Sequence, residues 1–264
     1  MGTPILVTGG TGTLGRLVTP LLAEAAGAVR VLSRGSHEPA EGVEFVTGDL
    51  VSGEGVDAAV QGVDTIVHLA GTAKGDDVKA RRLVDAAAAS GVRHLVFISV
   101  VGADRIPVTG RMDRTMFGYF AAKLAAERII AESGLPWTTL RATQFHELTL
   151  ATVQGMAKMP VIPVPTGFRF QPVDAGEVAA RLVELALDRP AGLVPDLGGP
   201  RVYGMDELIR SYLRARGRHR LTMPVRTPGD AARAFRAGAN LAPERAVGQR
   251  TWEEFLAERV PAHR

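Results

Sequence analysis

Short apolar runs alternate with segments of helical periodicity over the first two-thirds of the chain. Six runs of four or five residues are bounded by turn-forming residues, which is typical of buried strands: 5–8, 29–33, 43–47, 65–69, 95–99 and 138–141. Three segments between them place apolar residues at helical spacing: 14–26, 77–90 and 121–133. Strands that alternate with helices predict an α/β fold whose parallel sheet is buried on both faces.

The pattern changes after about residue 145. Four prolines within residues 159–172 predict an irregular or edge-like segment. The sequence then predicts a helix, a strand and three further helices, over 175–187, 193–197, 205–216, 230–238 and 252–259. No low-complexity linker or internal repeat separates the two parts. We therefore predict one domain over residues 1–264, in which 146–264 form a small C-terminal elaboration.

Composition narrows the class of protein. The 264 residues are enough for one large domain with a sizeable core. The absence of cysteine excludes a thiol nucleophile and a disulfide, and it is compatible with the cytoplasm, where we expect the protein. No apolar stretch approaches the ~18 residues of a membrane span, so no membrane partner is expected. Only four lysines and one asparagine are present, which suggests a GC-rich coding sequence and a bacterial source.

Several other chemistries are not supported by any pattern in this sequence. The six histidines are scattered, so no metal site is predicted. A Gly-x-Ser-x-Gly elbow, expected for an esterase, is missing. The net charge of +3 is too small to imply nucleic acid, and the arginine-rich residues 210–220 have little aromatic interleaving for base stacking. This basic run could attract an anionic substrate or an acidic partner, or it could be a solvated surface, and we expect no nucleic-acid partner.

A glycine-rich loop follows the first strand directly and opens the first helix, with the spacing G-x-x-G-x-x-G. The first glycine permits a tight turn, the second lets backbone N–H groups approach a pyrophosphate, and the third lets the helix pack close to the sheet. The helix N-terminus adds free N–H donors. The loop therefore predicts a dinucleotide site, with a purely structural turn as the alternative. The predicted contacts are Gly9, Thr11, Gly12, Thr13, Leu14 and Gly15.

The residue type at the end of the second strand distinguishes NAD from NADP. An NAD site places a carboxylate there, whereas this chain has Ser33 and Arg34, which could bind a 2′-phosphate. We therefore predict that NADP(H) is preferred and that NAD(H) is possible. A solvated surface arginine is the alternative.

The ends of the third and fourth strands are also predicted to contact the cofactor. Asp49, followed by Leu50, could accept a hydrogen bond from the adenine amino group; alternatively, it caps the following turn. Ala70, Gly71 and Thr72 follow the fourth strand and are small enough to let the adenosine half pass.

Three of these segments, together with the pair Tyr119 and Lys123, resemble the short-chain dehydrogenase/reductase superfamily: 8–15, 43–50 and 67–72. Four later segments resemble more narrowly its atypical, NmrA-like NAD(P)H-binding branch: 91–102, 119–127, 135–147 and 168–179. The resemblance covers nearly the whole chain and implies a Rossmann-type doubly wound parallel sheet. The branch contains quinone reductases, other NADPH-dependent reductases, and redox sensors that bind the dinucleotide without turnover.

The catalytic hypothesis rests on Tyr119 and Lys123, which are spaced so that they share one helix face. An ammonium beside a phenol is expected to lower the tyrosine pKa, and the tyrosine can then exchange a proton with a substrate oxygen. The resemblance implies that Lys123 also binds the nicotinamide ribose. Ser99, at the end of the fifth strand, could hold a substrate carbonyl through its hydroxyl.

Each of these assignments has a structural alternative. The Tyr-x-x-x-Lys spacing occurs by chance in many helices, and Ser99 could merely end a strand. Phe117, Tyr119 and Phe120 could form an aromatic patch. The superfamily's catalytic set also uses an asparagine, and the single one here, Asn240, lies far along the chain.

The segment after the sixth strand is where the resemblance puts the nicotinamide end. It implies that Ala142, Thr143, Gln144 and Phe145 contact the carboxamide, and that Phe145 and His146 face the substrate. His146 could act as an acid or base near neutral pH, or be a satisfied residue at a helix start. His68 lies in an apolar strand, where we expect a hydrogen-bonded core histidine.

We therefore predict an NADPH-dependent oxidoreductase that transfers hydride to a quinone or another carbonyl-type small molecule. Residues 1–145 would bind mainly the dinucleotide, and residues 146–264 mainly the substrate. One alternative is a dinucleotide-binding redox sensor without turnover, and another is a redox-neutral tailoring enzyme on the same fold. We expect a monomer or a homodimer.

Overall fold

The structure is a computed structural model, and it describes residues 3–38, 40–71 and 75–260. The chain folds into two compact units. Unit 1 consists of Met1–Ser99, Gly118–Arg141 and Gly176–Pro195; unit 2 consists of Val100–Phe117, Ala142–Ala175 and Asp196–Arg264. Both units are built from interleaved segments of the chain. One domain over residues 1–264, with a dinucleotide-binding part up to residue 145 and a substrate-binding part after it, remains a prediction.

The described residues form eleven strands and nine α-helices. The strands are β1 (Ile5–Thr8), β2 (Val29–Ser33), β3 (Val43–Thr47), β4 (Thr65–His68), β5 (His94–Val100), β6 (Trp137–Ala142), β7 (Val161–Pro165), β8 (Arg169–Phe170), β9 (Gly192–Leu193), β10 (Tyr203–Gly204) and β11 (Leu221–Val225). The helices are α1 (Gly15–Ala26), α2 (Val56–Val60), α3 (Asp76–Ala89), α4 (Arg111–Ala131), α5 (His146–Met156), α6 (Ala175–Leu187), α7 (Met205–Ala215), α8 (Asp230–Arg236) and α9 (Trp252–Arg259).

Unit 1 contains a seven-stranded parallel sheet in the order β3-β2-β1-β4-β5-β6-β9. The chain runs outward from β1 to β3, returns to β4 beside β1, and then runs outward in the opposite direction. This order confirms the predicted α/β fold, a Rossmann-type doubly wound sheet. In such sheets ligands bind at the carboxyl ends of the strands, at the point between β1 and β4 where the order reverses.

The central strands of this sheet are buried, as their continuous apolar runs predict. Leu6, Ile66 and Leu95 have at most 1% of their surface exposed. They belong to a core that includes small side chains of α3 and α4, such as Ala87 and Ala126. Burying each leucine or isoleucine side chain stabilises the fold by about 1.5–3 kcal/mol. The sheet is therefore a rigid support for the side chains at its carboxyl edge.

Unit 2 packs α5, α7 and α9 around a second apolar core, together with the antiparallel pair β8–β10 and the parallel pair β7–β11. Trp252 is fully buried in this core, and its Nε1 donates to Ser211 Oγ at 2.7 Å. α9 begins with a capping box formed by Thr251 and Glu254.

Several predicted boundaries coincide with those of the structure, namely those of β1, β2, β3, α6 and α9. α4 begins at Arg111 rather than at residue 121; the preceding stretch contains Gly118, which has low helix propensity. The strand predicted over 193–197 is limited to Gly192–Leu193, because Pro195 lacks the N–H that a ladder requires. β11 was not predicted; it contains Pro224 and is exposed along its whole length.

None of the helices in the described ranges is both long enough and apolar enough to cross a lipid bilayer. α4, with 21 residues, carries charged side chains at its start and near its end.

Candidate functional site

The glycine loop between β1 and α1 is folded back on itself. Gly9 has φ = +75°, and a Cβ atom there would lie 2.7 Å from the backbone nitrogen of Ala70. A Cβ atom on Gly15 would collide with the carbonyl oxygen of Gly9. The Gly12 N–H donates to the same oxygen at 3.0 Å. Glycine is required at positions 9 and 15 because backbone segments touch there.

The start of α1 fits the pyrophosphate of a dinucleotide. No side chain in the described ranges caps this helix, and its first turn contains no acidic residue. Thr11, Gly12 and Thr13 are exposed beside it, and Arg16 Nε donates to the Thr11 carbonyl oxygen at 2.8 Å. The first N–H groups of a helix lack intrahelical acceptors and, with the helix dipole, favour an anion. The residues present therefore suit the phosphate groups.

The residues predicted for the adenosine half follow β2 and β3. Arg34 is exposed, whereas the Ser33 hydroxyl lies 2.9 Å from Nε2 of His37. Asp49 accepts a hydrogen bond from the Val51 N–H at 2.8 Å, and so caps the turn after β3. That cap was the structural alternative, and a contact of Asp49 with adenine remains a prediction.

Three further residues predicted to contact the cofactor are Leu50, Ala70 and Thr72. Leu50 is buried in the apolar core of unit 1, and Ala70 packs against that core. Thr72 lies outside the described residues.

A cavity of about 770 Å³ lies beside α1, β2 and β3. Gly10 and Thr11 contribute to its lining, but so do Gly27 and Gly42, which precede β2 and β3. The cavity thus extends to the amino ends of these strands. Because dinucleotides bind at the carboxyl ends, we do not assign this cavity to the cofactor.

A buried group of charged side chains lies where α3, α4 and β5 meet in unit 1. Asp76 has no exposed surface, and its carboxylate lies 3.3 Å from both Lys79 Nζ and Lys123 Nζ. Lys123 Nζ also donates to the Ile98 carbonyl oxygen at 3.2 Å. A Cβ atom on Gly71 would lie 2.7 Å from Lys123 Nζ. Glycine at this position therefore leaves room for the lysine head.

This network holds the Lys123 ammonium with only 3% of the side chain exposed. Burial lowers the pKa of Lys123, and the negative charge of Asp76 opposes that shift. Asp76 therefore favours the charged form of Lys123 and fixes the position of its head. Sequence reasoning missed Asp76 and Lys79, since nothing in the sequence connects their helix with the helix that carries Lys123.

His68, at the end of β4, is fully buried near this network. Its Nδ1 lies 2.6 Å from Thr8 Oγ1, and its ring stacks on Phe97 with 5.4 Å between the ring centroids. Burial, followed by the positive charge of Lys123, lowers the pKa of His68 to about 3. The expected hydrogen-bonded core histidine is confirmed, and its ring is neutral at physiological pH.

Tyr119 lies one helical turn before Lys123, and Lys123 Nζ is 5.8 Å from the centroid of its ring. The residue is 36% exposed, yet burial within dense surroundings and then the negative charge of Asp76 raise the pKa of Tyr119 to about 12. The expected lowering of the pKa by Lys123 is not found, because burial raises it and the negative charge of Asp76 adds to that shift. Tyr119 is therefore protonated at neutral pH and can act only as a proton donor there.

Ser99, which is predicted to hold a substrate carbonyl, lies in unit 1, and Phe117 lies in unit 2. Ser99 is buried in β5, and its hydroxyl has no hydrogen-bond partner within the part of the chain that the structure describes. Buried hydroxyls rarely lack a partner, and the oxygen of this one has almost no exposed surface, so that its contact with a substrate carbonyl remains a prediction. The Phe117 ring contacts Phe168 and Phe235 in unit 2, with centroid distances of 6.1 and 5.7 Å.

The segment predicted to meet the nicotinamide has its backbone held by neighbours in unit 2. The Thr143 N–H donates to the Leu197 carbonyl oxygen at 3.0 Å, and the Gln144 carbonyl oxygen accepts from the Val173 N–H at 2.9 Å. Phe145 is the N-cap residue of α5. Contacts of this segment with the carboxamide remain a prediction.

His146, the first residue of α5, is fully buried. Its Nε2 lies 3.1 Å from the Arg250 carbonyl oxygen, and its ring stacks on Phe255 and Trp252 with centroid distances of 4.9 and 6.1 Å. Burial lowers the pKa of His146. This placement favours a structural residue at the helix start, although its Nδ1 has no hydrogen-bond partner among the described residues, and a contact of His146 with the substrate remains a prediction.

A family model described as NAD(P)H-binding matches residues 9–190, which include the glycine loop, the Asp76 network and Tyr119. This chain belongs to the NAD(P)H-binding family. The resemblance to the NmrA-like branch and the expectation of a nicotinamide dinucleotide cofactor are thereby confirmed.

Two curated relatives are reductases. The chain is 34% identical over 161 residues to (4-alkanoyl-5-oxo-2,5-dihydrofuran-3-yl)methyl phosphate reductase of Streptomyces griseus subsp. griseus, a match that covers 60% of this chain and 54% of the relative. It thus spans about half the length of that relative. The chain is 30% identical over 223 residues to NAD(P)H azoreductase of Xenophilus azovorans, covering 81% of this chain and 74% of the relative.

Among solved structures, the chain is similar to the NADPH-dependent quinone oxidoreductase QOR2 of Escherichia coli complexed with NADPH. The TM-score is 0.79 at 19% identity, and the match covers 97% of this chain and 99% of that chain. At this level of identity the likeness shows the fold alone.

Replacing Asp76 by Asn is expected to lower the free energy of unfolding by about 3–5 kcal/mol, because two buried lysines lose their shared carboxylate. In the double variant Asp76→Asn/Lys123→Met the loss should be smaller than the sum of the single losses, since one of the stranded charges is gone. Urea unfolding of wild type and the three variants, followed by circular dichroism, measures this coupling. The exposed Asp77→Asn on the same helical turn is the control; additive losses for Asp76 and Lys123 would contradict the inferred contact.

Stability is expected to fall as the pH is lowered below about 6.5. His68 stays neutral in the folded state down to about pH 3, whereas its ordinary value in the unfolded chain is 6.5. The unfolded state therefore binds more protons in this interval, and His68 alone costs about 2 kcal/mol of stability between about pH 7 and pH 5. His68→Gln should reduce the pH slope of the unfolding free energy by up to about one proton. The exposed His219→Gln serves as control, and an unchanged slope in His68→Gln would refute the buried neutral ring.

Proposed function

We propose that this protein is an NADPH-dependent reductase that passes hydride to a quinone or another carbonyl-type small molecule. The observation that carries the proposal is the position of Tyr119 beside the buried head of Lys123, in the unit that also contains the glycine loop. A phenol and an ammonium at this spacing supply a proton donor and a cation that can hold the cofactor ribose.

The roles of the side chains follow from their surroundings. When bound, the nicotinamide supplies the hydride. Lys123 is oriented by Asp76 and the Ile98 carbonyl oxygen, and its remaining N–H donor points to the ribose hydroxyls in this proposal. Tyr119 donates its phenolic proton to the substrate oxygen as negative charge develops there. The Ser99 hydroxyl donates a second hydrogen bond to the same oxygen.

The substrate class is supported by what the relatives are named for. The two relatives named above are reductases, one of them an azoreductase, and the solved structure named above is a quinone oxidoreductase. Quinones and azo compounds both accept two electrons together with protons, which is the chemistry that hydride transfer and a tyrosine proton donor provide. We accordingly place quinones first in the substrate class.

NADPH is preferred to NADH in this proposal, because β2 ends in Ser33 and is followed by exposed Arg34, with no carboxylate to accept from a ribose 2′-hydroxyl. A chain without cysteine suits the reducing cytoplasm, where we propose that it works.

A redox sensor that binds the dinucleotide without turnover is the second candidate. The raised pKa of Tyr119 favours it, since a phenol with a pKa of about 12 is a weaker acid than an ordinary tyrosine. The presence or absence of turnover separates the two functions.

Tyr119→Phe is expected to lower kcat for quinone reduction by about 10²- to 10⁴-fold, because the proton donor is removed. NADPH affinity should change little, since Lys123 and the glycine loop stay in place. NADPH oxidation against a panel of quinones, ketones and azo compounds measures the effect, and Tyr212→Phe on α7 is the matched removal of another hydroxyl. Tight NADPH binding by wild type without oxidation by any acceptor would favour the sensor.

Arg34→Asp is expected to weaken NADPH binding by at least about tenfold relative to NADH, because a charge-assisted phosphate contact is replaced by repulsion. Fluorescence titration of both cofactors measures the ratio. Arg81→Asp, at an exposed position on α3, makes the same change of charge away from β2. Equal losses for NADPH and NADH would refute the 2′-phosphate contact.

A further inference from the structure

The two-stranded sheet β7–β11 of unit 2 exposes an entire apolar face. Residues paired in register point to the same side of a parallel sheet, and three residues of each strand form this apolar sheet face: Val161, Pro163, Pro165, Leu221, Met223 and Val225. Leu221 is 73% exposed and Met223 is 52% exposed. The alternate residues of β7, Ile162 and Val164, point the other way into the core of unit 2.

The described residues leave this apolar sheet face largely open to solvent. A single exposed leucine is ordinary on a protein surface. Six contiguous apolar side chains on one sheet, with neither a helix nor a strand of the described ranges over them, form the kind of patch that marks an interaction surface.

Exposed basic residues frame the apolar sheet face. Lys158 precedes β7, Arg218 and Arg220 precede β11, and Arg226 follows it. The two segments that contain these strands, residues 148–173 and 208–229, have two and six Lys or Arg residues, respectively, and no Asp or Glu. The charge along these segments is therefore of one sign. We call the exposed basic residues beside the apolar sheet face the basic rim: Lys158, Arg218, Arg220 and Arg226.

Two shallow cavities open along the basic rim. One, of about 370 Å³, is lined by Lys158, Pro160, His219, Arg220 and Leu221, so that cationic and apolar side chains meet in it. The other, of about 480 Å³, has four arginines in its lining: Arg210, Arg214, Arg218 and Arg220. Its one acidic residue, Glu207, is paired with Arg201, and Arg210 is paired with Asp206 at 2.6 Å. Arginine-lined niches of this kind suit phosphate groups.

The geometry of β11 disfavours another strand as the partner. Pro224 has no N–H, which interrupts the hydrogen-bonding edge that an added strand would use. The accessible element is the face rather than the edge. A flat apolar face bordered by cations matches the boundary layer of an anionic bilayer, where acyl chains lie beneath a layer of phosphates.

We propose that the apolar sheet face and its basic rim form a docking surface for an anionic lipid bilayer. Leu221, Met223 and their neighbours enter the boundary between headgroups and acyl chains, while Arg218 and Arg220 contact lipid phosphates. Such binding is peripheral and needs no spanning helix. The expectation of no membrane partner considered spanning segments only, and this inference does not depend on the proposed reductase activity.

Flotation of the full chain with vesicles of phosphatidylcholine, with and without phosphatidylglycerol, tests the proposal. Wild type should float with the anionic vesicles and remain unbound with the neutral ones. Binding should weaken when the salt is raised from about 0.05 M to about 0.5 M, because the Debye length shortens. Two combined variants probe the two parts of the surface.

Arg218→Glu/Arg220→Glu should lower the partition coefficient at least about tenfold, through loss of attraction and added repulsion. Leu221→Ser/Met223→Ser should lower it by a similar factor, through loss of apolar insertion. Arg81→Glu/Arg189→Glu makes the same change of charge in unit 1, and Val247→Ser removes an apolar side chain that is 60% exposed elsewhere in unit 2. Unchanged NADPH affinity and circular dichroism establish that each variant is folded.

Three results would overturn the proposal. Failure of wild type to bind anionic vesicles at low salt would show that this face does not dock on an anionic bilayer. Loss of binding in the arginine variant but not in the Leu221/Met223 variant would show that charge attraction alone causes the binding and that the apolar side chains do not insert. Self-association of wild type by analytical ultracentrifugation, lost in Leu221→Ser/Met223→Ser, would assign the face to a second copy of the chain.

Discussion

The carboxylate of Asp76 is shared by two buried lysines, and the candidate site is organised around it. A buried ammonium is unstable without a partner, since burial alone lowers the pKa of Lys123. With Asp76 at 3.3 Å, the charged form of the lysine is favoured and its head is fixed against the Ile98 carbonyl oxygen. Burial raises the pKa of Tyr119, and the same carboxylate adds to that shift, so that Tyr119 is a proton donor at neutral pH. One acidic residue thus influences both members of the proposed catalytic pair.

The end of β4 joins this network to the phosphate-binding loop. Ala70 is the residue against which Gly9 packs, and Gly71, the next residue, leaves the space for the head of Lys123. A side chain at Gly9 would push the loop away from β4, and one at Gly71 would push the lysine away from Asp76. Two successive small residues therefore connect the phosphate loop and the lysine head through one short piece of backbone.

In the strands of unit 2, apolar residues that pack in the core alternate with apolar residues that are exposed. In β7, Ile162 and Val164 join the core around Trp252, while Val161 and the two prolines face outward. β11 adds Leu221 and Met223 to that outer face and contributes little to the core. Core packing therefore accounts for little of β11, and the proposed docking surface assigns its outer face to an anionic bilayer.

The features that could be predicted from the sequence are those whose signal is local. Alternating apolar runs located β1, β2 and β3, and the glycine spacing located the phosphate loop, because strand burial and close backbone contacts demand particular residues at fixed positions. The spacing of Tyr119 and Lys123 likewise placed both on one helix face. What surrounds these residues became visible only in the folded chain. Asp76 meets Lys123 because α3 and α4 pack together, and β11 is a strand because it pairs with β7. Pairing and ion contacts between distant segments depend on how the chain packs, and a pattern along the sequence carries no record of that.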